Sequence, residues 1–116
     1  MRSLLDGQIP TPRCYTHPLA LEPYDDGTNL VVVIDAHCHI LPPSFSGRRA
    51  EIARRDSTFA ALLSDPATTI ASAEDLLSSM DRNGVERALV MGMGWTNPDV
   101  AMEANDYIIQ AVTDNP

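Results

Sequence analysis

Val31-Val32-Val33-Ile34-Asp35-Ala36-His37-Cys38-His39-Ile40-Leu41-Pro42-Pro43 decides how the rest of the chain is read. Four β-branched residues lead into an Asp-x-His-x-His cluster, and a proline pair ends the run. The first half is continuously apolar rather than alternating, which predicts a buried parallel strand over about residues 31–40. Successive side chains of a strand point to opposite faces. That alternation places Asp35, His37 and His39 on one face and Ile34, Ala36, Cys38 and Ile40 on the other. The polar trio falls at the carboxyl end of the strand, where α/β sheets carry their sites.

Two imidazoles at i and i+2 on one strand face reach a common metal ion. Imidazole suits zinc, iron, copper and nickel, and zinc accepts several nitrogen ligands. His37 and His39 are therefore the candidate ligands of a divalent metal, zinc foremost. The competing reading makes them polar tips at a strand end, hydrogen-bonded to loops. His-x-His alone is a weak signal. The strand in front, the acid two residues earlier and the Pro-Pro stop behind favour ligation. Asp35 either orients a ligand from behind or buttresses the strand, and the structural role is favoured.

The chain has 116 residues, enough for one modest domain. Its hydrophobic content of 44% suits a globular fold. Eight basic and sixteen acidic residues give a net charge of −8. That balance argues against nucleic acid and anionic membrane as partners. Arg48, Arg49, Arg54 and Arg55 cluster, and a solvated face is the favoured reading of them. Cys14 and Cys38 do not make a secreted disulfide framework. Cys38 alternates away from the histidines and reads as a buried thiol. The longest aliphatic run, Leu30 to Ile34, is far short of a membrane span, and Met1 to Gly7 lacks the apolar core of a secretory signal. The expected location is the cytoplasm.

Residues 1–30 carry Pro10, Pro12, Pro18 and Pro23 and show no period, so an irregular extension is expected, with a short hairpin at Asp26-Gly27. His17 within it is conceivable as a further ligand, but an exposed histidine is favoured. After the first strand comes a long segment, residues 41–69, read as a functional loop. Within it, Asp56 or Ser57 caps a short helix through Leu63 that stops before Pro66. Phe45 and Phe59 either cover a substrate or pack the loop onto the body, and packing is favoured. Ser72 with Glu74 and Asp75 opens a helix over 73–83, striped by Leu76, Leu77 and Met80 and stopped by Gly84. A second strand follows at about 87–92. Trp95, in the loop after it, either lines a pocket or packs over the strand end. Asn97 and Pro98 open a last helix whose face is Val100, Ala104, Ile108 and Ala111 or Val112. The strands are expected to be parallel, with long loops after strands and a short turn after the helix. That asymmetry matches an α/β barrel with its site at the strand carboxyl ends.

Three stretches taken together resemble the amidohydrolase superfamily, in the amidohydrolase-related group that includes aminocarboxymuconate-semialdehyde decarboxylase. They are Ile34-Asp35-Ala36-His37-Cys38-His39-Ile40 with Pro42-Pro43, Met80-Asp81-Arg82-Asn83-Gly84-Val85-Glu86-Arg87-Ala88, and Asn97-Pro98 followed by Glu103-Ala104-Asn105-Asp106-Tyr107-Ile108. The likeness covers residues 31–116. It implies an α/β fold made of the first two βα units of a metal-dependent (β/α)8 TIM barrel, with His37 and His39 as the two ligands from strand one. It also implies a small-molecule substrate and hydrolysis or decarboxylation at a divalent metal, with zinc expected. The family's later histidine and aspartate ligands have no counterpart here, and a whole barrel takes roughly 250 residues. The chain is therefore expected to be the truncated amino-terminal piece of a barrel, inactive alone, with the remainder of the barrel or further copies of itself as partners. No general acid or base is assigned. Two alternatives are carried: a TatD-like metal-dependent nuclease, against which Asn105-Asp106-Tyr107 and the acidic balance argue, and a non-catalytic remnant or interaction module.

Overall fold

The computed structural model describes residues 32–116. The expected irregular extension, its Asp26-Gly27 hairpin, His17 and Cys14 lie outside the described residues. The described elements run β1 (Ile34–Cys38), α1 (Ser44–Gly47), α2 (Arg49–Arg55), α3 (Ser57–Leu63), α4 (Ala73–Asn83), β2 (Arg87–Val90) and α5 (Pro98–Asp114). Together they form a small α/β domain with two parallel strands and five helices, and not a closed barrel.

β1 and β2 pair in parallel, as the helix between them requires. Ile34 is level with Arg87, Asp35 with Ala88 and Cys38 with Val90. Three steps along β1 thus match two along β2, an irregularity between Asp35 and Cys38. The pairing extends at both ends, where Glu86 N–H donates to the Val33 carbonyl and Met91 N–H to the Cys38 carbonyl, both at 2.9 Å.

The expectation that β1 is buried does not hold. Ile34 is 57% exposed, as is Leu89 on β2, and Val32 and Val33 are also exposed. A strand of this composition is buried only when layers cover both sheet faces, and a two-stranded sheet leaves its outer edges unpaired. The core lies elsewhere. Leu41, Phe45, Ile52, Phe59 and Leu63 meet Val100 and Ala104 of α5. The segment expected as a long loop therefore supplies most of the buried apolar side chains, from α1, α2 and α3. Phe45 and Phe59 are both fully buried, their rings edge to face at 5.8 Å, so they pack rather than cover a substrate.

Local signals set the helix ends. Asp56 caps α3 by accepting the Phe59 N–H at 2.8 Å. Ser72 and Asp75 make a reciprocal capping box at α4. Gly84 ends α4 in the left-handed region, φ 65°, where a Cβ would be strained. Asn97 accepts the N–H groups of Asp99 and Val100 ahead of Pro98. The Tyr107 hydroxyl accepts the Ala73 N–H at 2.8 Å, tying the start of α4 to α5. Beyond that tie, Leu76, Leu77 and Met80 of α4 face Val90, Ala111 and Val112 across a groove of about 730 Å³, and no residue of α4 is fully buried.

The arginine cluster is not one solvated face. Arg48 pairs with Glu51 at 2.9 Å and with Glu103 at 2.7 Å, and Arg55 pairs with Asp99 at 2.8 Å. Arg49 donates to the carbonyls of Leu63, Asp65 and Thr68, holding the turn after α3. Three of the four thus join α2 to its neighbours, and Arg54 and Arg55 are both exposed. Among the described residues no helix is long and apolar enough to cross a membrane.

Candidate metal centre

His37, near the end of β1, and His39, just beyond it, turn their rings toward each other. The centroids are 4.9 Å apart with the planes at 78°, and the two Nε2 atoms lie 2.9 Å apart. The expected convergence of the two imidazoles is therefore present.

What aims the pair is the end of β2. His39 Nδ1 lies 2.8 Å from the Met91 carbonyl oxygen. A carbonyl only accepts, so Nδ1 carries the proton and Nε2 of the neutral ring holds a lone pair. A backbone carbonyl on the far nitrogen is the usual way in which a metal-binding histidine is oriented. The same residue is tied into the sheet, since Met91 N–H donates to the Cys38 carbonyl. His37 has no second side-chain partner among the described residues and is exposed, so its ring is free to adjust.

The donor set fits a borderline-soft divalent cation. Two nitrogens about 2.9 Å apart, each 2.0–2.1 Å from zinc, subtend about 90°, and a tetrahedral pair needs ~3.4 Å. Opening by about half an ångström is within reach of the unanchored His37 ring. Two lone pairs this close repel unless a proton or a cation lies between them. The number of donors is the shortfall. Among the described residues no group of three or more His, Cys, Asp or Glu side chains is placed to hold a metal.

Asp35 does not join the pair. Its Oδ1 accepts the backbone N–H of His37 at 3.0 Å and makes no hydrogen bond to either ring. The irregular register breaks the strict alternation that placed Asp35 on the face of the histidines. Cys38 donates its thiol to the Leu89 carbonyl at 3.5 Å and is a free, half-buried cysteine. Burial, then the charge of Asp35, pushes its thiol above the ordinary value.

Asp56 emerges as the organiser of the loop after β2, a role not read from the sequence beyond its cap. Its Oδ2 accepts the N–H groups of Thr96 at 2.6 Å and Asn97 at 2.8 Å, while Oδ1 caps α3. One carboxylate thus ties the start of α3 to the start of α5, and it is 1% exposed. Burial raises its pKa, but the N–H groups of Phe59, Asn97 and Thr96 outweigh that and hold the carboxyl below its ordinary value. The signal available was Asp56 seven residues before Leu63 and forty before Thr96, and only the first of these is local. Trp95, held in the same loop, packs against Phe45 at 6.4 Å and Phe59 at 6.3 Å. It is a core contact rather than a pocket wall, and its buried Nε1 has no hydrogen-bond partner among the described residues.

No family model, curated protein or solved structure matches this chain.

Proposed function

We propose that this chain carries two ligands of a metal-dependent hydrolase or decarboxylase of the amidohydrolase type, residues 31–116 corresponding to the first two βα units of its (β/α)8 barrel. One observation supports the reading above the others: the Nε2 atoms of His37 and His39 lie 2.9 Å apart while the Met91 carbonyl holds the far nitrogen of His39. When bound, a divalent ion there lowers the pKa of a coordinated water and stabilises negative charge on a small-molecule substrate. His39 provides a fixed lone pair at the strand carboxyl end, and His37 adjusts to it. A catalytic zinc takes three protein ligands and keeps one position open. Hydrolysis or decarboxylation therefore requires donors in addition to this pair.

The test is metal content. Purified chain equilibrated with zinc retains it in a fixed ratio, and His37→Ala and His39→Ala each abolish retention. Chain that retains no stoichiometric zinc under these conditions sinks the proposal. The exposure of Ile34 and Leu89 favours a second reading, a non-catalytic interaction module, which predicts binding behaviour indifferent to both histidines.

A further inference from the structure

Met91 fixes one ring of the metal centre, yet the sheet holds only half of that residue. Its N–H donates to the Cys38 carbonyl. Its own carbonyl, which accepts from His39 Nδ1 at 2.8 Å, belongs to the next peptide plane, shared with Gly92 and lying past Val90, the last residue of β2. Where that plane points depends on how the chain leaves the strand. Gly92 and Gly94 give the departing backbone wide freedom, so its course is set from outside. Gly92 lets α5 come close, since a Cβ there would stand 3.1 Å from Asn105 Oδ1. Two residues on, the Thr58 hydroxyl of α3 donates to the Gly94 carbonyl at 2.6 Å. Among the described residues no other side chain hydrogen-bonds the stretch 92–94. Beyond it the chain is held firmly, Trp95 by the core and Thr96 and Asn97 by Asp56.

We propose that Thr58 is a positioning residue for the metal centre: by fixing the path of the loop after β2 it keeps the Met91 carbonyl on Nδ1 of His39, and so keeps Nε2 free for a metal ion. The inference rests on the reading of His39 as a ligand and adds a residue that serves it. Thr58 is half-buried on the first turn of α3 and acts through Gly94, not on either ring. Without its hydroxyl the Gly94 carbonyl turns to water, the loop takes other paths, and the plane joining Met91 to Gly92 is free to rotate. His39 then loses its acceptor for part of the time and the Nε2–H tautomer gains. A ring with its proton on Nε2 has no lone pair there to give a metal. Outer groups that hold a ligand in one tautomer tune affinity in this way. The arrangement leaves every position of the ion beyond the two imidazoles open, as chemistry at a catalytic ion requires.

Thr58→Val and Thr58→Ser in the full chain separate this role from packing, because valine keeps the size and branching and loses the hydroxyl, while serine keeps the hydroxyl. Long-range proton–nitrogen NMR spectra of the metal-free protein read the His39 tautomer at pH ~8.5, above the ordinary histidine pKa of about 6.5. Wild type and Thr58→Ser are expected to show Nδ1–H, and Thr58→Val a mixture with Nε2–H. Calorimetric titration with zinc is expected to give an affinity about three- to tenfold weaker in Thr58→Val, short of the roughly 10–100-fold cost of losing a ligand's direct partner, and within about twofold of wild type in Thr58→Ser. A Thr58→Val chain that melts lower but keeps the wild-type tautomer and zinc affinity reduces Thr58 to a packing contact and overturns the proposal. A serine variant that behaves as the valine one does overturns it too. Wild-type chain that binds no zinc while the tautomers respond as expected sinks the metal reading alone and supports Thr58 as the residue that sets His39.

Discussion

His39 Nδ1 stands 2.8 Å from the carbonyl oxygen of Met91, so the ring that follows β1 is set by backbone at the end of β2. The strand pairing and the histidine pair are one structure: sheet register delivers the carbonyl, and the carbonyl fixes which nitrogen is free. This is why the ring faces its neighbour rather than solvent, and why the two Nε2 atoms meet at 2.9 Å.

Replacing either histidine by alanine is expected to weaken zinc binding by more than the roughly 10–100-fold that loss of an outer hydrogen-bond partner costs. Metal-free stability should stay within about 0.5 kcal/mol for His37→Ala, because that side chain is exposed and packs little. Calorimetric titration with zinc and thermal melts in chelator measure the two effects separately. Equal zinc affinity in wild type and both variants contradicts the metal centre.

Asp56→Ala strips a buried acceptor from three N–H groups. The expected loss is about 3 kcal/mol, combining a lost cap with buried donors left unpaired. Asp56→Asn keeps one acceptor oxygen and is expected to lose about half as much. Urea unfolding reads both values, and a loss under about 1 kcal/mol for the alanine variant would show that water replaces the carboxylate.

The same carboxylate makes stability depend on acid. Its folded pKa lies below the ordinary value, so the folded protein binds this proton less readily than the unfolded chain. The contribution is whole above the unfolded pKa of about 3.9 and is lost as pH falls through the lower folded value. Asp75, held down by the N–H and hydroxyl of Ser72, acts in the same direction. Stability measured from pH 6 downward should therefore fall below about pH 4, and the fall should be shallower in Asp56→Asn. Parallel acid curves for the two proteins would remove Asp56 from the account.

Trp95 is the single tryptophan of the chain and sits against Phe45 and Phe59. Its emission should shift to the red on unfolding, in step with loss of helical circular dichroism. Phe45→Ala, at a fully buried site, is expected to lose about 3–5 kcal/mol. Trp95→Phe removes a buried Nε1 that has no partner and should change stability by no more than about 1 kcal/mol. A large loss on Trp95→Phe would mean that Nε1 is hydrogen-bonded in solution.

Gly84 closes α4 at φ 65°, with open space where a Cβ would stand. Gly84→Ala is therefore a test of backbone strain alone, and it should cost about 1 kcal/mol. No loss in chemical denaturation would indicate that the turn relaxes to another conformation.

Local chemistry by itself determined the capped helices and the order of the elements. Ser72 with Asp75, Asn97 before Pro98, Asp56 before α3 and Gly84 after α4 act within a few residues of themselves, so their effect is written in the chain. The i, i+2 spacing of His37 and His39 at the end of β1 belongs to the same class, because the two residues are near neighbours in the chain. The tertiary structure decided what sequence distance hides. Phe45, Ile52 and Phe59 recur every seven residues across a segment that reads as a loop, and their burial follows only once α5 brings Val100 and Ala104 against them. The second and third bonds to Asp56, reaching forty and forty-one residues to Thr96 and Asn97, arise from that packing. The Met91 carbonyl behind His39, fifty-two residues away, is brought there by the pairing of β1 with β2. β1 is exposed for the same reason: composition states what a strand prefers to be covered by, and only the assembled layers determine whether a cover is there.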